Sequence, residues 1–180
     1  MKKIAIIGAP GSGKTTIATG LFYFLKKMRK KTEIIPELIK YKVYQDARFG
    51  EDGFDIENTG EQRRFEESVE KAPDIEFLIC EAPLCNGYFY SSFYQKDEEW
   101  PVLRKIALKK INTYDIIIFV EHLSAEEYES FGRKEDRETS IKLENHIKDK
   151  FLNDLKYEKE VVYITQQSDI DQIIQKILAL

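Results

Sequence analysis

The sequence predicts an α/β fold in which one parallel sheet lies between two layers of helices. Short apolar runs alternate along its 180 residues with longer amphipathic segments. Such alternation is typical of parallel strands connected by right-handed helical crossovers. The first apolar run ends in a glycine-rich loop, and a helical pattern follows that loop. Because no segment of linker composition divides the chain, we expect a single domain over residues 1–180.

Five apolar runs predict the strands, and the periodic segments between them predict the helices. The strands are expected at 3–7, 32–35, 76–81, 115–121 and 161–165. The helices are expected at 14–30, 37–47, 61–72, 101–111, 137–155 and 169–178. The glycine-rich, acidic segment 49–60 is expected to be a loop, and the aromatic segment 86–97 has no clear helical period.

The composition points to a soluble cytoplasmic protein. A formal net charge of −4 gives no support to general nucleic-acid binding. The apolar run at residues 4–7 is too short for a membrane span or a signal segment. Cys80 is expected to be a buried strand residue and Cys85 a reduced thiol, since two cysteines at this spacing suit neither a disulfide framework nor zinc. Whether the chain forms a homo-oligomer is left open.

The loop after the first strand follows the phosphate-loop pattern G-x-x-x-x-G-K-[ST]. Its glycines let the backbone turn N–H groups inward onto phosphate oxygens. Lys14 is expected to contact the β- and γ-phosphates, and the Thr15 hydroxyl is expected to bind Mg²⁺. The sequence therefore predicts a site for ATP and Mg²⁺ that is formed by Gly8, Gly11, Ser12, Gly13, Lys14, Thr15 and Thr16.

Three acidic residues lie at or just past the C-terminal ends of predicted strands, at the sheet edge where ligands bind in open parallel sheets. Glu81 is expected to contact Mg²⁺ or to act as general base toward an acceptor hydroxyl. Glu37 is a candidate for binding the second substrate, although an acid after Pro36 also suits a helix start. Glu121 occupies the third such position and has weaker support.

A basic cluster precedes the long helix at 137–155. Arg133 and Arg137 could neutralise the charge that develops on a transferring phosphoryl group, as part of a lid over residues 126–140. The alternative is a solvated helix start with Asp136 as the N-cap residue. Both interpretations remain open on the sequence alone.

The aromatic segment 86–97 and the helix at 61–72 carry the remaining substrate candidates. Tyr88 is expected to stack on a planar substrate, although aromatic residues under a loop more often belong to the core. Gln62, Arg63 and Arg64 could reach a substrate from their helix, and a solvent-exposed helix face explains them equally well.

In their order, these segments resemble the P-loop domain of the ribosylnicotinamide-kinase type, found in bacterial NAD-biosynthesis regulators and in many phage-encoded ATPases or kinases. Nucleoside and nucleoside-monophosphate kinases share the layout. The resembling segments are residues 8–16, 36–41, 62–66, 77–84, 114–121 and 132–138.

The resemblance implies an adenylate-kinase-like sheet order of 2-3-1-4-5, ATP with Mg²⁺, and a lid that carries arginine. It also implies roles for Glu37 and Glu81 near the acceptor, for Arg133 and Arg137 in the lid, and for Gln166 and Gln167 near adenine. The turn Glu81-Ala82-Pro83-Leu84 departs from the aspartate-rich or acid-arginine turns of those kinases, so the acceptor is not identified.

We therefore predict a small-molecule kinase that transfers the γ-phosphate of ATP to a nucleoside, a nucleotide or a compound like nicotinamide riboside. The alternative is a P-loop ATPase that acts as a nucleotide-dependent switch on a protein partner. A nucleotide-binding module without catalysis is a third and weaker alternative. The base preference for ATP over GTP cannot be determined from the residues.

Overall fold

The computed structural model describes residues 1–44, 53–122, 135–165 and 167–180, and every structural statement below refers to these ranges. Five strands form a single sheet: β1 (Lys2–Ile7), β2 (Thr32–Ile35), β3 (Phe77–Cys80), β4 (Ile116–Glu121) and β5 (Glu160–Thr165). All neighbouring strands are parallel, and their order is β2-β3-β1-β4-β5. The predicted α/β class and the order 2-3-1-4-5 are thus confirmed.

Seven α-helices connect and flank the strands in the described ranges. They are α1 (Lys14–Lys27), α2 (Ile39–Tyr44), α3 (Phe54–Glu70), α4 (Asn86–Phe93), α5 (Trp100–Lys110), α6 (Arg137–Asp149) and α7 (Ile170–Ala179). A short 3-10 turn (Ile111–Thr113) follows α5, and π-helical turns (Lys150–Leu155) continue α6. No helix in the described ranges is long and apolar enough to cross a membrane.

Helices cover both faces of the sheet, which is why the strand sequences are apolar without alternation. In β1, Ile4 and Ile6 pack on the side of α1 and α7, whereas Ala5 and Ile7 pack on the side of α4, α5 and α6. The parallel register places Ala5 beside Cys80 near the carboxyl ends of β1 and β3. The loop after β1 and the turn after β3 consequently meet at one edge of the sheet.

The start of α3 is a correction to the sequence prediction. The segment 49–60 was expected to be a loop, but α3 begins at Phe54 and includes Gly60. The carboxylate of Glu99 explains the difference, because its Oε2 accepts hydrogen bonds from the N–H groups of Asp55 (2.9 Å) and Ile56 (3.1 Å). A distant side chain therefore caps this helix start, because the N-cap residue Gly53 has no side chain that could do so.

Two other helices also differ from the pattern. The aromatic segment forms α4 although its sequence shows no helical period. The period is absent because its residues pack in several directions, so no single apolar stripe results. The helix expected from Glu37 begins at Ile39. Its predicted end at residues 45–47 lies outside the described residues.

Candidate functional site

The phosphate loop connects β1 directly to α1, which confirms the strand-loop-helix context that the sequence predicted. Gly8 must be glycine, because a Cβ atom there would lie 2.4 Å from the carbonyl oxygen of Val120 on β4. Gly13 adopts a left-handed conformation (φ 94°) at the N-cap of α1. These two positions let the chain turn sharply between a buried strand and a helix N-terminus.

Polar groups within the loop are arranged to receive an anion. The Lys14 ammonium donates a hydrogen bond of 3.0 Å to the carbonyl oxygen of Ala9, although the side chain is almost fully buried. The Ser12 hydroxyl is buried and has no hydrogen-bond partner in the described part of the chain. A buried cation on a neutral carbonyl and an unpaired hydroxyl, both beside a helix N-terminus, fit phosphate oxygens.

Thr15 and Glu81 meet at the mouth of the loop. The Thr15 hydroxyl donates a hydrogen bond to Glu81 Oε1. The Lys40 ammonium lies 2.5 Å from Thr15 Oγ1 and 3.7 Å from Glu81 Oε1. The site thus brings two oxygen ligands together and already holds a cation against them, which fits Mg²⁺. No group of three His, Cys, Asp or Glu side chains in the described ranges could hold a metal by itself, so phosphate oxygens would complete such a site.

Glu81 is held in place from two sides. It directly follows β3 and is only 2% exposed. Its Oε1 accepts the bond from Thr15, and its Oε2 accepts a bond of 3.4 Å from the backbone N–H of Glu37. The carboxylate therefore faces the phosphate loop, which is the side that the strand-end argument predicted.

A pocket opens next to Glu81, between the segment after β2, the turn after β3 and the helices α3 and α4. Its wall includes Glu37, Asn58, Gln62, Pro83 and Tyr90. Glu37, the candidate for binding the second substrate, thus lies in the pocket wall, and its backbone N–H donates to Glu81. Glu37 in the pocket wall bonds Glu81, and Glu81 bonds Thr15, so these contacts connect the pocket with the phosphate loop.

Two amide side chains on α3 present unpaired atoms at this pocket. Asn58 and Gln62 lie one helical turn apart and so share a face of α3. The oxygen of Asn58 (Oδ1) and the nitrogen of Gln62 (Nε2) are buried without a hydrogen-bond partner among the described residues. Gln62 is 4% exposed. Because buried polar atoms are nearly always paired, two unpaired amide atoms on residues that line a pocket fit a polar ligand.

A carboxylate lies at the same pocket wall. Asp55 is buried, and its Oδ2 accepts a bond of 2.8 Å from Lys96. Burial raises the pKa of Asp55, and the neighbouring Lys96 opposes this shift in part. The pair also adjoins Glu99, which caps α3. The N-terminal end of α3 is therefore fixed by charges from the segment before α5.

Several predicted site residues lie away from the pocket or outside the described residues. Tyr88 belongs to the core: it is 1% exposed, and its hydroxyl donates to Asp154. The ring that lines the pocket is that of Tyr90, two residues farther along α4. Arg137 is the first residue of α6. Arg133, Gln166 and most of the expected lid lie outside the described residues.

Asp136, the alternative helix cap, has a side chain that accepts a hydrogen bond of 2.8 Å from the backbone N–H of Thr139. It is therefore the N-cap residue of α6. Both cysteines are free and buried, and burial raises the pKa of each thiol. Glu121, the weakest of the strand-end acids, forms an ion pair of 2.7 Å with Lys148.

The sequence patterns missed Lys40 and Asn58. Lys40 lies in the Pro-Glu-Leu-Ile-Lys-Tyr segment that carries part of the family resemblance, and this position was its only signal. Asn58 falls within the segment expected to be a loop, so its spacing of four residues from Gln62 did not indicate a shared helix face. Recognising the helix start at Phe54 would have placed both amides on one face.

Comparisons with known proteins identify the family and the fold. The sequence profile of a family described as AAA domain matches residues 3–169. A search of the curated proteins finds no match. Among solved structures, deoxyadenosine kinase from M. mycoides with the products dCMP and a flexible dCDP is similar over 99% of this chain and 100% of its own, with 17% identity and a TM-score of 0.66.

Two further structures share the fold. The same deoxyadenosine kinase with bound dATP matches 99% of this chain and 100% of its own, with 18% identity and a TM-score of 0.61. The NadR protein in complex with NR matches 97% of this chain and 51% of its own, with 16% identity and a TM-score of 0.71. The chain thus has the kinase-like P-loop fold that the sequence resemblance implied.

Proposed function

The chain belongs to the AAA domain family, and from that premise we propose that it is a kinase that binds ATP with Mg²⁺ and phosphorylates a small acceptor. The acceptor is a nucleoside, a nucleotide or a compound like nicotinamide riboside. The structures with the same fold include a deoxyadenosine kinase and a protein that holds NR, which supports acceptors of this size and class.

One observation carries the proposal. A pocket with two unpaired buried amide atoms adjoins the phosphate loop, and the Glu37–Glu81 pair stands between them. A switch that acts on a protein partner has no use for such a pocket, because unpaired buried polar atoms cost free energy when no ligand satisfies them. A kinase needs two such sites that share a boundary at which the phosphoryl group moves.

On the donor side, the loop amides and Lys14 stabilise the charge of the transferring phosphoryl group. Thr15 and Glu81 are proposed to hold Mg²⁺, since Glu81 is buried against Thr15 and faces the loop. When bound, Mg²⁺ would neutralise charge on the phosphate oxygens. Gly8, Gly11, Ser12, Gly13 and Thr16 complete the proposed nucleotide site.

On the acceptor side, the geometry favours Glu37 over Glu81 as the group that takes the proton. The acceptor hydroxyl oxygen bonds to the γ-phosphorus, the bond from that phosphorus to the bridging oxygen breaks, and ADP leaves. The hydroxyl proton passes to a carboxylate in the pocket wall, where Glu37 lies. Asn58 and Gln62 are proposed to accept from and donate to a planar polar group of the acceptor.

The lid completes the proposal. Arg133 and Arg137 are proposed to close over the phosphates from a lid at 126–140, within one domain that spans residues 1–180. The fixed end of this lid is Asp136, which caps α6 immediately before Arg137. Closure with both substrates bound would limit the hydrolysis of ATP by water.

A single reaction tests the kinase against the switch. The protein is incubated with ATP and Mg²⁺ and with each of a series of nucleosides, nucleoside monophosphates and nicotinamide riboside. ADP and phosphorylated acceptor are measured together. We expect one acceptor to be phosphorylated far faster than ATP is hydrolysed without acceptor. ADP without any phosphorylated acceptor, accelerated by a protein partner, would establish the switch instead.

Four variants then assign the roles. Lys14→Ala should abolish transfer while the protein stays folded. Glu37→Gln should lower kcat by roughly 10²–10⁴ with ATP affinity nearly unchanged, as expected for a positioned base.

Gln62→Met should raise the KM for the acceptor by about tenfold or more, since it removes a buried hydrogen-bond donor. Ser68→Ala, an exposed change on the same helix and outside the pocket wall, is the control and should alter none of these values.

A further inference from the structure

Two side chains that lie much later in the chain contact the backbone carbonyl of Pro10 in the phosphate loop. The hydroxyl of Ser140 donates a hydrogen bond of 2.5 Å to it, and the Nε2 atom of His122 lies 2.9 Å from it. His122 directly follows β4, and Ser140 lies in the first turns of α6. A carbonyl oxygen only accepts, so the Ser140 hydroxyl donates to it. The same Oγ also lies 3.0 Å from Nε2 of His122, whose role as donor or acceptor depends on the tautomer of the ring.

His122 is itself held by Glu144, one turn of α6 beyond Ser140. The Oε2 atom of Glu144 lies 2.5 Å from Nδ1 of His122 and accepts a bond of 2.8 Å from its backbone N–H. Burial opposes ionisation of Glu144, but hydrogen bonds from His122 and Lys148 outweigh it and lower its pKa to about 2. Lys148 also pairs with Glu121 of β4, so charges from α6 and β4 both surround the ring.

The orientation of one peptide group follows from these contacts. In a trans peptide the C=O of one residue and the N–H of the next point in opposite directions. With the Pro10 carbonyl fixed toward His122 and Ser140, the N–H of Gly11 must point away from them. Phosphate loops bind their anion with backbone N–H groups of this kind, and Gly11 has the left-handed φ of 84° found in such nests.

We propose that His122, Ser140 and Glu144 are positioning residues that hold the Pro10–Gly11 peptide with its N–H directed at the phosphate. They contact the loop backbone and not the nucleotide. Because Ser140 lies only three residues beyond Arg137, the same contact ties the start of α6 to the loop. The proposal rests on nucleotide binding by the loop and does not depend on which acceptor is phosphorylated.

Two substitutions of His122 separate the contact with Pro10 from the contact with Glu144. The amide of Gln reaches as far as Nε2, so His122→Gln can still donate to the Pro10 carbonyl. The shorter amide of Asn reaches only the place of Nδ1, so His122→Asn keeps the Glu144 contact and loses Pro10. The Kd of Mg²⁺ with a non-hydrolysable ATP analogue is measured by calorimetry without acceptor, and the thermal midpoint is measured alongside.

We expect His122→Gln to bind the analogue within about threefold of the unmodified protein and His122→Asn to bind it roughly threefold to tenfold more weakly. The double variant His122→Asn/Ser140→Ala should lose about 10-fold to 100-fold, because a hydrogen bond to a charged phosphate is then missing. Ser140→Thr, which keeps the hydroxyl, should restore binding relative to Ser140→Ala.

The opposite results overturn the proposal. A folded double variant that binds the analogue as tightly as the unmodified protein would show that the peptide needs no positioning. If His122→Gln and His122→Asn lost the same affinity and the same thermal midpoint as each other, His122 would have only a structural role. Since no acceptor is present, neither result depends on whether phosphoryl transfer occurs.

Discussion

Two networks of hydrogen-bonded side chains in this protein each contact one backbone atom, one in the turn after β3 and the other in the phosphate loop. Glu66 accepts hydrogen bonds from the Tyr114 hydroxyl, which in turn accepts a bond of 3.0 Å from the N–H of Leu84 in the wall of the proposed acceptor pocket. On the other side, His122 and Ser140 bind the carbonyl of Pro10 in the phosphate loop. Each network therefore orients a peptide group from outside the loop that contains it.

The two networks differ in their exposure to water. Glu66 is 0% exposed and binds Lys3 at 3.2 Å within the protein interior, whereas Glu144 is 9% exposed and pairs with Lys148, whose side chain is 30% exposed. A buried charge that loses its partner has no water to replace it, so the loss appears as instability. A partner near the surface can be replaced by water, and its loss appears mainly in the geometry of the loop.

The largest effect is expected from Glu66→Ala. This change leaves the Lys3 ammonium, also bound by Glu70 at 2.5 Å, without its buried partner and leaves the Tyr114 hydroxyl without an acceptor. The free energy of unfolding, measured by urea denaturation, should fall by about 3–5 kcal/mol. The neighbouring Glu67→Ala is the control, because Glu67 forms partly exposed pairs with Arg63 and Lys110, and it should change little. If Glu66→Ala and Glu67→Ala lowered the free energy of unfolding equally, the expected effect of the buried network on stability would be wrong.

An intermediate effect is expected from Tyr114→Phe. The substitution keeps the ring in the core but leaves the buried N–H of Leu84 without its acceptor. Unfolding free energy should fall by about 1–3 kcal/mol, and the KM for the acceptor should rise more than the KM for ATP. Tyr163→Phe, at an exposed ring on β5, should change neither value. A rise confined to the KM for ATP would contradict the assignment of Leu84 to the acceptor side.

The smallest effect is expected from Glu144→Gln and depends on pH. The pKa of Glu144 is lower in the folded protein (about 2) than its ordinary value of 4.5. Its ionised form therefore stabilises the fold above about pH 4.5, and this contribution is lost as pH falls toward 2. Glu144→Gln should lower stability at neutral pH by about 1 kcal/mol and show a smaller further loss on acidification. Parallel pH profiles for the two proteins would contradict this origin of the shift.

Much of the donor side could be predicted from the sequence, because its determinants are local. The loop from Gly8 to Thr15 needs glycines where side chains would collide, and its pattern is contiguous. Glu81 was placed correctly at the end of β3, since an acid after four buried strand residues can only lie at the sheet edge. The strand order was implied by the family resemblance, and the structure confirms it.

The acceptor side could not be predicted in the same way. Asn58 and Gln62 form a pair only because α3 begins at Phe54, and that start depends on Glu99, more than forty residues away. The sequence pointed to Tyr88, but the structure buries Tyr88 in the core, with its hydroxyl bonded to Asp154, and places Tyr90 in the pocket wall. Such choices are made by partners that are distant in the chain, which a local pattern does not contain.

By itself, the sequence determined the layered α/β fold and the phosphate loop, because apolar runs and glycine positions act through neighbouring residues. Only the tertiary structure decided which side chains meet across the sheet edge. The contacts of His122 and Ser140 with Pro10 join residues that are 112 and 130 positions apart. Their physical basis is the parallel register, which brings the ends of β1 and β4 together whatever the length of chain between them.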